Sequence, residues 1–112
     1  MIPYYKNIHN RFKINGFHFD KEALFQLAYS SIKEGAEFDR ELGEFLLDWL
    51  DDSETIQLTT SGTTGTPKII TISKQSMVHS AVATGNFFNL HPQDKALLCL
   101  PPRYIAGKMM IV

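Results

Sequence analysis

Nine consecutive residues, Thr60-Ser61-Gly62-Thr63-Thr64-Gly65-Thr66-Pro67-Lys68, stand between two stretches of β-type sequence and consist almost wholly of hydroxyls and glycines. Glycine lets the backbone adopt positive φ and approach a ligand closely. Backbone N–H groups freed in this way, together with the hydroxyls of Thr60, Ser61, Thr63, Thr64 and Thr66, form a nest of donors suited to phosphate oxygens. Lys68 adds a positive charge at the far end. A plain surface turn needs only a few such residues, so the run points to an anion-binding loop.

The phosphate loop of the Walker type requires G-x-x-x-x-G-K-[ST] opening a helix. Counted from Gly62, Pro67 replaces the second glycine, Ile69 replaces the metal-binding hydroxyl, and a β-like stretch follows. The Walker reading fails on all three points. Other chemically capable residues are better read as structural. Cys99 lies in Ala96-Leu97-Leu98-Cys99-Leu100 and is expected to be a small buried core residue. His79 has Ala83 at i+4, so no paired ligand faces it, and a surface or boundary role is favoured. Asp48, Asp51, Asp52 and Glu54 suggest a solvated helix end, since their spacing matches no calcium loop. No metal site is expected from them.

The elements that must position the loop can be read from periodicity. Arg11 to Asp20 is a hairpin signal, with Asn15-Gly16 supplying the two positive φ angles of a type I′ turn. His18 is expected at an exposed strand position. Asp20 can cap a helix from Lys21 to Glu34, closed by Gly35, with Ala23, Leu24, Leu27, Ala28 and Ile32 as its buried stripe. Asp39 to Leu50 repeats the pattern with Leu42, Phe45, Leu46, Trp49 and Leu50. Glu54 to Thr59 and Lys68 to Ile72 read as strands on either side of the loop. Ser73 can cap a helix from Lys74 to about Leu90, buried through Met77, Val78, Ala81, Val82, Phe87 and Phe88. Lys95 to Leu100 reads as a short buried strand. Strand, helix and strand in this order indicate a βαβ unit, so the fold class is α/β.

Composition sets the outer limits. The chain has 112 residues, 44% hydrophobic and 21% charged, enough for one modest core. Eleven basic and twelve acidic residues leave a net charge of −1, which gives no electrostatic case for nucleic acid or an anionic membrane. No run approaches the ~18 apolar residues of a membrane span. A single cysteine fits a reducing cytoplasm. The chain stops at Lys108-Met109-Met110-Ile111-Val112, an apolar end without a polar cap, which suggests a domain cut in its middle and an exposed edge prone to self-association.

The run from Thr60 to Lys68 closely resembles the phosphate-loop signature of the adenylate-forming superfamily, which comprises acyl- and aryl-CoA ligases, luciferases and peptide-synthetase adenylation domains. A second resemblance is Leu100-Pro101-Pro102-Arg103-Tyr104-Ile105-Ala106-Gly107, similar in order and spacing to the L-P-L-F-H-x-x-G stretch on the family's acyl-binding wall. Ile69 stands where many members have Gly, Lys74 where many have His, and Arg103-Tyr104 where an aromatic-His pair is usual. The first two departures are expected to affect packing only. The third implies an anionic substrate.

The resemblance implies that residues 1–112 are the N-terminal part of an AMP-binding domain, a hairpin and two helices followed by a β-loop-β-α-β unit. It implies an acid–thiol ligase that uses ATP with Mg2+ to form an acyl-adenylate and then CoA to form a thioester. Thr60, Ser61, Gly62, Thr63, Thr64, Gly65 and Thr66 would hold the β- and γ-phosphates, with Lys68 as the catalytic cation. Arg103, Tyr104, Gly107 and Lys108 would line the acid site. The short leader before the loop resembles compact bacterial o-succinylbenzoate–CoA ligases of menaquinone biosynthesis, whose substrate carries a second carboxylate for Arg103 or Lys108. The alternatives are another acyl- or aryl-CoA ligase, an amino-acid adenylation domain, or a catalytically inactive nucleotide-binding fragment.

Overall fold

The computed structural model describes residues 2–60, 65–92 and 94–112. It is a mixed α/β arrangement of four helices and two small antiparallel sheets. Lys13–Ile14 (β1) and Phe17–His18 (β2) form the first hairpin, with Asn15 at φ 52° and Gly16 at φ 83° in its turn. Both positive angles are those a type I′ turn demands. His18 is exposed, and its Nδ1 lies 2.9 Å from the Phe12 carbonyl.

Helix α1 runs Lys21–Glu34, and the Asp20 carboxylate accepts from the Ala23 N–H at 2.8 Å, satisfying one orphan donor of the first turn. Gly35 closes it with an N–H donated to the Ser31 carbonyl, from an extended conformation instead of a left-handed one. Helix α2, Glu37–Leu50, follows after a two-residue link and packs against α1 as a helical hairpin. The crossing is close because Gly43 lies against Ala28: a Cβ at Gly43 would sit 2.6 Å from the Ala28 carbonyl oxygen. Leu24, Ala28, Leu46 and Leu50 make the first core cluster.

Thr55–Thr60 (β3) and Lys68–Ser73 (β4) pair antiparallel from Thr55↔Ser73 at the root to Thr60↔Lys68 at the tip. Ile56 and Leu58 alternate inward and join Phe45 and Met77 in a second core cluster. Helix α3, Lys74–Phe87, is capped by Ser73, whose hydroxyl accepts from the Ser76 N–H. It ends three residues before Leu90 because Asn89 turns left-handed (φ 56°) and Leu90 donates back to the Gly85 carbonyl at 2.8 Å. Met77 and Val78 are buried as expected, but Phe87 and Phe88 are exposed, their rings meeting edge to face.

Two expectations downstream need correction. Lys95 to Leu100 forms no strand, and the β-α-β unit is not completed among the described residues: both sheets are antiparallel hairpins. A strand requires a partner ladder, and none is offered to this segment. Cys99, read as a core residue, is an exposed free thiol for the same reason. The chain then folds into helix α4, Ile105–Ile111. Met109, Ile111 and Val112 of the apolar end pack onto the cluster that contains Ile56 and Leu58, while Met110 stays exposed. Among the described residues no helix is long and apolar enough to cross a membrane.

Candidate functional site

The site is organised by the β3–β4 hairpin. Its ladder is unbroken through Thr60↔Lys68, so the hydroxyl- and glycine-rich segment leaves and re-enters the sheet at directly opposed residues. Ser61, Gly62, Thr63 and Thr64 lie outside the described residues. On the return side Gly65 holds φ 88°, a left-handed conformation that strains any residue with a Cβ, and among the described residues nothing lies within 4 Å of where that Cβ would be. Conformation therefore favours glycine there. Thr66, Pro67 and Lys68 follow on the exposed surface.

The root of the hairpin carries residues that sequence reasoning assigned to packing or to a solvated helix end. Lys74 is completely buried, and its Nζ donates to Asp51 Oδ1 at 2.6 Å and to the Asp51 carbonyl at 3.4 Å. Its backbone N–H donates to the Glu54 carbonyl, and its ammonium lies 5.9 Å from the centre of the Tyr5 ring. Tyr5 N–H donates to Gln75 Oε1 and Gln75 Nε2 to the Pro3 carbonyl, so residues 3–5 are stapled to the first turn of α3. Burial pushes the Tyr5 phenol up to about 12. Burial also pushes the Asp51 carboxyl up, but the Lys74 hydrogen bond, the Ser53 amide and the Lys74 charge together bring it below its ordinary value. One signal pointed to this pair. A lysine at the first position of a helix opposes the helix dipole, and α3 has no acid in its first turn to offset it, so Lys74 gains from an anion elsewhere.

The stretch from Leu100 to Lys108 folds as a turn running into α4. Tyr104 N–H donates to the Pro101 carbonyl at 3.1 Å. Gly107 is buried, and a Cβ there would meet the Pro101 carbonyl oxygen at 2.4 Å and the Leu100 oxygen at 2.8 Å, which explains why a glycine follows the Leu-Pro pair at this distance. Lys108 turns inward, donating from Nζ to the Pro102 carbonyl at 2.7 Å and sitting 5.4 Å from the centre of the Phe45 ring. Burial lowers its pKa, against the charges of Asp48, Glu41 and Glu44. Arg103 stays at the surface, 3.4 Å from both Glu37 and Glu41 of α2 and 4.9 Å from the Tyr104 ring centre. The hairpin strands and α4 share one core cluster, so β3, β4 and this segment are braced on the same apolar base.

The AMP-binding enzyme family profile matches residues 28–112, the greater part of the chain. The chain belongs to the AMP-binding enzyme family. No curated protein matches it. Among solved structures, it is similar to an acyl-CoA synthetase (AMP-forming)/AMP-acid ligase II-like protein from Dyadobacter fermentans, at 35% identity and a TM-score of 0.63. The match covers 77% of this chain and 25% of that one, so this AMP-binding chain spans about a quarter of the length of its solved relative.

In an AMP-binding enzyme the described side chains divide by exposure. Lys68 and Arg103 are cations at the surface, whereas Lys74 and Lys108 are turned into the protein. Among the described residues no group of three His, Cys, Asp or Glu side chains is placed to hold a metal ion.

Proposed function

We propose that this chain supplies the triphosphate-binding loop and part of the acid-binding wall of a cytoplasmic, ATP-dependent carboxylic acid–CoA ligase. The observation that carries this reading is the run Thr60 to Lys68, whose first and last residues pair at the tip of a regular hairpin, in a chain of the AMP-binding family. The name of the D. fermentans relative supports the acyl-CoA synthetase branch.

In the proposed reaction the acid's carboxylate attacks the α-phosphorus of ATP, giving an acyl-adenylate and pyrophosphate. The CoA thiol then displaces AMP to give the thioester. Charge grows on the departing pyrophosphate, and donors fixed beforehand stabilise it without reorganising. Backbone and hydroxyl donors from Thr60 to Thr66 hold the β- and γ-phosphates, and Lys68 neutralises them. Mg2+ would accompany the nucleotide.

The acid proposed is o-succinylbenzoate, which keeps one carboxylate free while the other is activated. Arg103 is its partner in this reading. Its planar guanidinium suits a carboxylate, and it is more open than Lys108, which is half-buried and bonded to the Pro102 carbonyl. Tyr104 stacks on Arg103, and Gly107 lets α4 approach the Leu100–Pro101 backbone.

Amide chemical shifts of the chain, followed as tripolyphosphate is added, test the loop. Movement at Gly65, Thr66 and Lys68 is expected, and silence there at millimolar ligand would refute the assignment. Adding o-succinylbenzoate and benzoate separately tests the acid. The dicarboxylate should move Arg103 and Tyr104 more than the monocarboxylate does, and equal responses would remove the case for o-succinylbenzoate. The chain by itself is expected to give no ATP–pyrophosphate exchange, because catalysis by positioning needs acid and α-phosphate held in one geometry. Exchange above a protein-free blank would overturn that expectation.

A further inference from the structure

Charge is unevenly spread along this nearly neutral chain. Its first 21 residues hold Lys6, Arg11, Lys13 and Lys21 against Asp20 alone, a net charge of +3, while residues 22–112 hold seven basic and eleven acidic side chains, a net −4. Two of those cations converge. Residues 6–10, the end of β2 and the start of α1 enclose a cleft of about 580 Å³, lined by Lys6, His18, Asp20 and Lys21 among others. That volume suits a small organic molecule. Ile8 and Phe19 give the cleft an apolar side, half-buried against the first core cluster. Asn7 and Asn10 add two amide groups, neither hydrogen-bonded among the described residues.

The cations are uncommitted. Among the described residues neither Lys6 nor Lys21 has a carboxylate partner, and Lys21 lies only near the Phe25 ring, 5.9 Å from its centre. His18 Nδ1 is 2.9 Å from the Phe12 carbonyl, which can only accept, so Nδ1 carries the proton and Nε2 is left for another partner. The one opposing charge is Asp20, and one of its oxygens already accepts from the Ala23 N–H. The family match begins at residue 28, so every residue of this cleft lies outside it.

We infer that this cleft is a binding site for a small phosphate monoester, separate from the Thr60 to Lys68 loop. Lys6 and Lys21 hold the phosphoryl oxygens as point charges, and His18 Nε2 becomes a third donor as the second N–H of the imidazolium. The asparagine amides add hydrogen bonds, and the organic group lies on Ile8 and Phe19. A phosphate monoester suits the cleft better than a carboxylate. It carries about two negative charges to match two lysines, and no arginine lines the cleft to grip a carboxylate in bidentate fashion.

The probe is phenyl phosphate, added to the 112-residue chain while its amide shifts are followed. Because no ATP and no turnover are involved, the outcome is independent of the proposed ligase activity. Saturable movement is expected at residues 6–10 and 18–21. Lys6→Gln and Lys21→Gln should each bind about tenfold more weakly, since each loses one charge-assisted contact. Both lysines are exposed and unpaired, so the variants should melt with the parent. Benzoate keeps the ring with one charge, and inorganic phosphate keeps the charge without the ring; each should bind about tenfold more weakly than the ester. The inference is overturned if residues 6–10 and 18–21 show no saturable movement at millimolar probe, or if movement is confined to residues 65–68. It is also overturned if K6Q and K21Q bind as tightly as the parent, or if benzoate matches phenyl phosphate. Inorganic phosphate binding as tightly as the ester would overturn the choice of a monoester, since Ile8 and Phe19 would then contribute nothing.

Discussion

The two ends of the β3–β4 hairpin are built on opposite plans, about 17 Å apart along the strands. At the root, Thr55↔Ser73 is flanked by a buried ammonium, the Asp51 carboxylate, the Glu54 carbonyl and the Gln75 staple to residues 3–5. At the tip, Thr60↔Lys68 closes the ladder, with Ile69 70% exposed beside it and Gly65 at positive φ. Such a division leaves the tip's sequence free to be set by ligand chemistry, because the hairpin's place in the fold is fixed elsewhere. If that is right, substitutions at the root should cost stability and those at the tip should cost binding.

The largest effect is expected from Asp51→Ala. It leaves the Lys74 ammonium buried with a 3.4 Å carbonyl contact and the Tyr5 ring but no counter-charge, and an unpaired buried charge costs about 3 kcal/mol, reduced somewhat here because Asp51 is half in water. Lys74→Met removes the charge and leaves an exposed carboxylate, so it should cost about 1 kcal/mol. Urea denaturation of the two variants checks the order, and a larger loss in K74M would break the account of the root. The pair also sets an acid limit. The Asp51 carboxyl titrates below its ordinary value when folded, so its contribution is fully present above the unfolded value of about 4 and is lost as pH falls through the lower folded value. The melting temperature of the parent should therefore fall below about pH 4 more steeply than that of K74M.

Gly107→Ala comes next, at about 2 kcal/mol. Its Cβ would meet the Pro101 carbonyl at 2.4 Å, and rigid backbone cannot yield as a side chain can. The displaced α4 would draw Met109, Ile111 and Val112 away from Ile56 and Leu58, so methyl shifts of those two core residues should change along with the denaturation midpoint. Unchanged methyl shifts would mean that α4 does not brace the hairpin.

How much of this was legible beforehand follows from how local each cause is. The Asn15-Gly16 turn, the Asp20 cap and the stripes of α1 and α2 are set by residues within a turn of one another, and the sequence carries them openly. The hydroxyl- and glycine-rich run was legible in composition alone, although Ser61 to Thr64 lie outside the described residues. The Lys74–Asp51 pair joins residues 23 positions apart and announced itself only as a charge at the wrong end of a helix. The close approaches at Gly43 and Gly107 required the fold to be known. Lys95 to Leu100 was misread because apolar composition reports a tendency to be buried, whereas burial itself requires a partner surface.

Gly65→Ala should cost about 1 kcal/mol from placing a Cβ at positive φ, since no atom of the described residues crowds the position. Asn at the same position should cost less, because its side chain tolerates the left-handed region. A loss in G65A comparable to that in G107A, seen in the same denaturation series, would show packing at the tip that the geometry does not contain.

The smallest effect on stability is expected from Lys68→Ala, and it separates the two ends of the hairpin most directly. Lys68 is exposed and contributes to the ladder through its backbone opposite Thr60, which the substitution leaves intact. Surface changes of this kind stay within about 0.5 kcal/mol. Affinity should respond differently. A charge-assisted contact to phosphate contributes about 1.5 kcal/mol or more, so tripolyphosphate binding should weaken roughly tenfold, and K68R should restore most of it. The difference between parent and K68A should shrink as salt is raised, because screening removes the same attraction that the substitution does. Parallel thermal melts and tripolyphosphate titrations of the two chains give both numbers. A K68A chain that melts as low as D51A, yet binds the anion as tightly as the parent, would place Lys68 with the root, as a structural residue, and leave the tip without its cation.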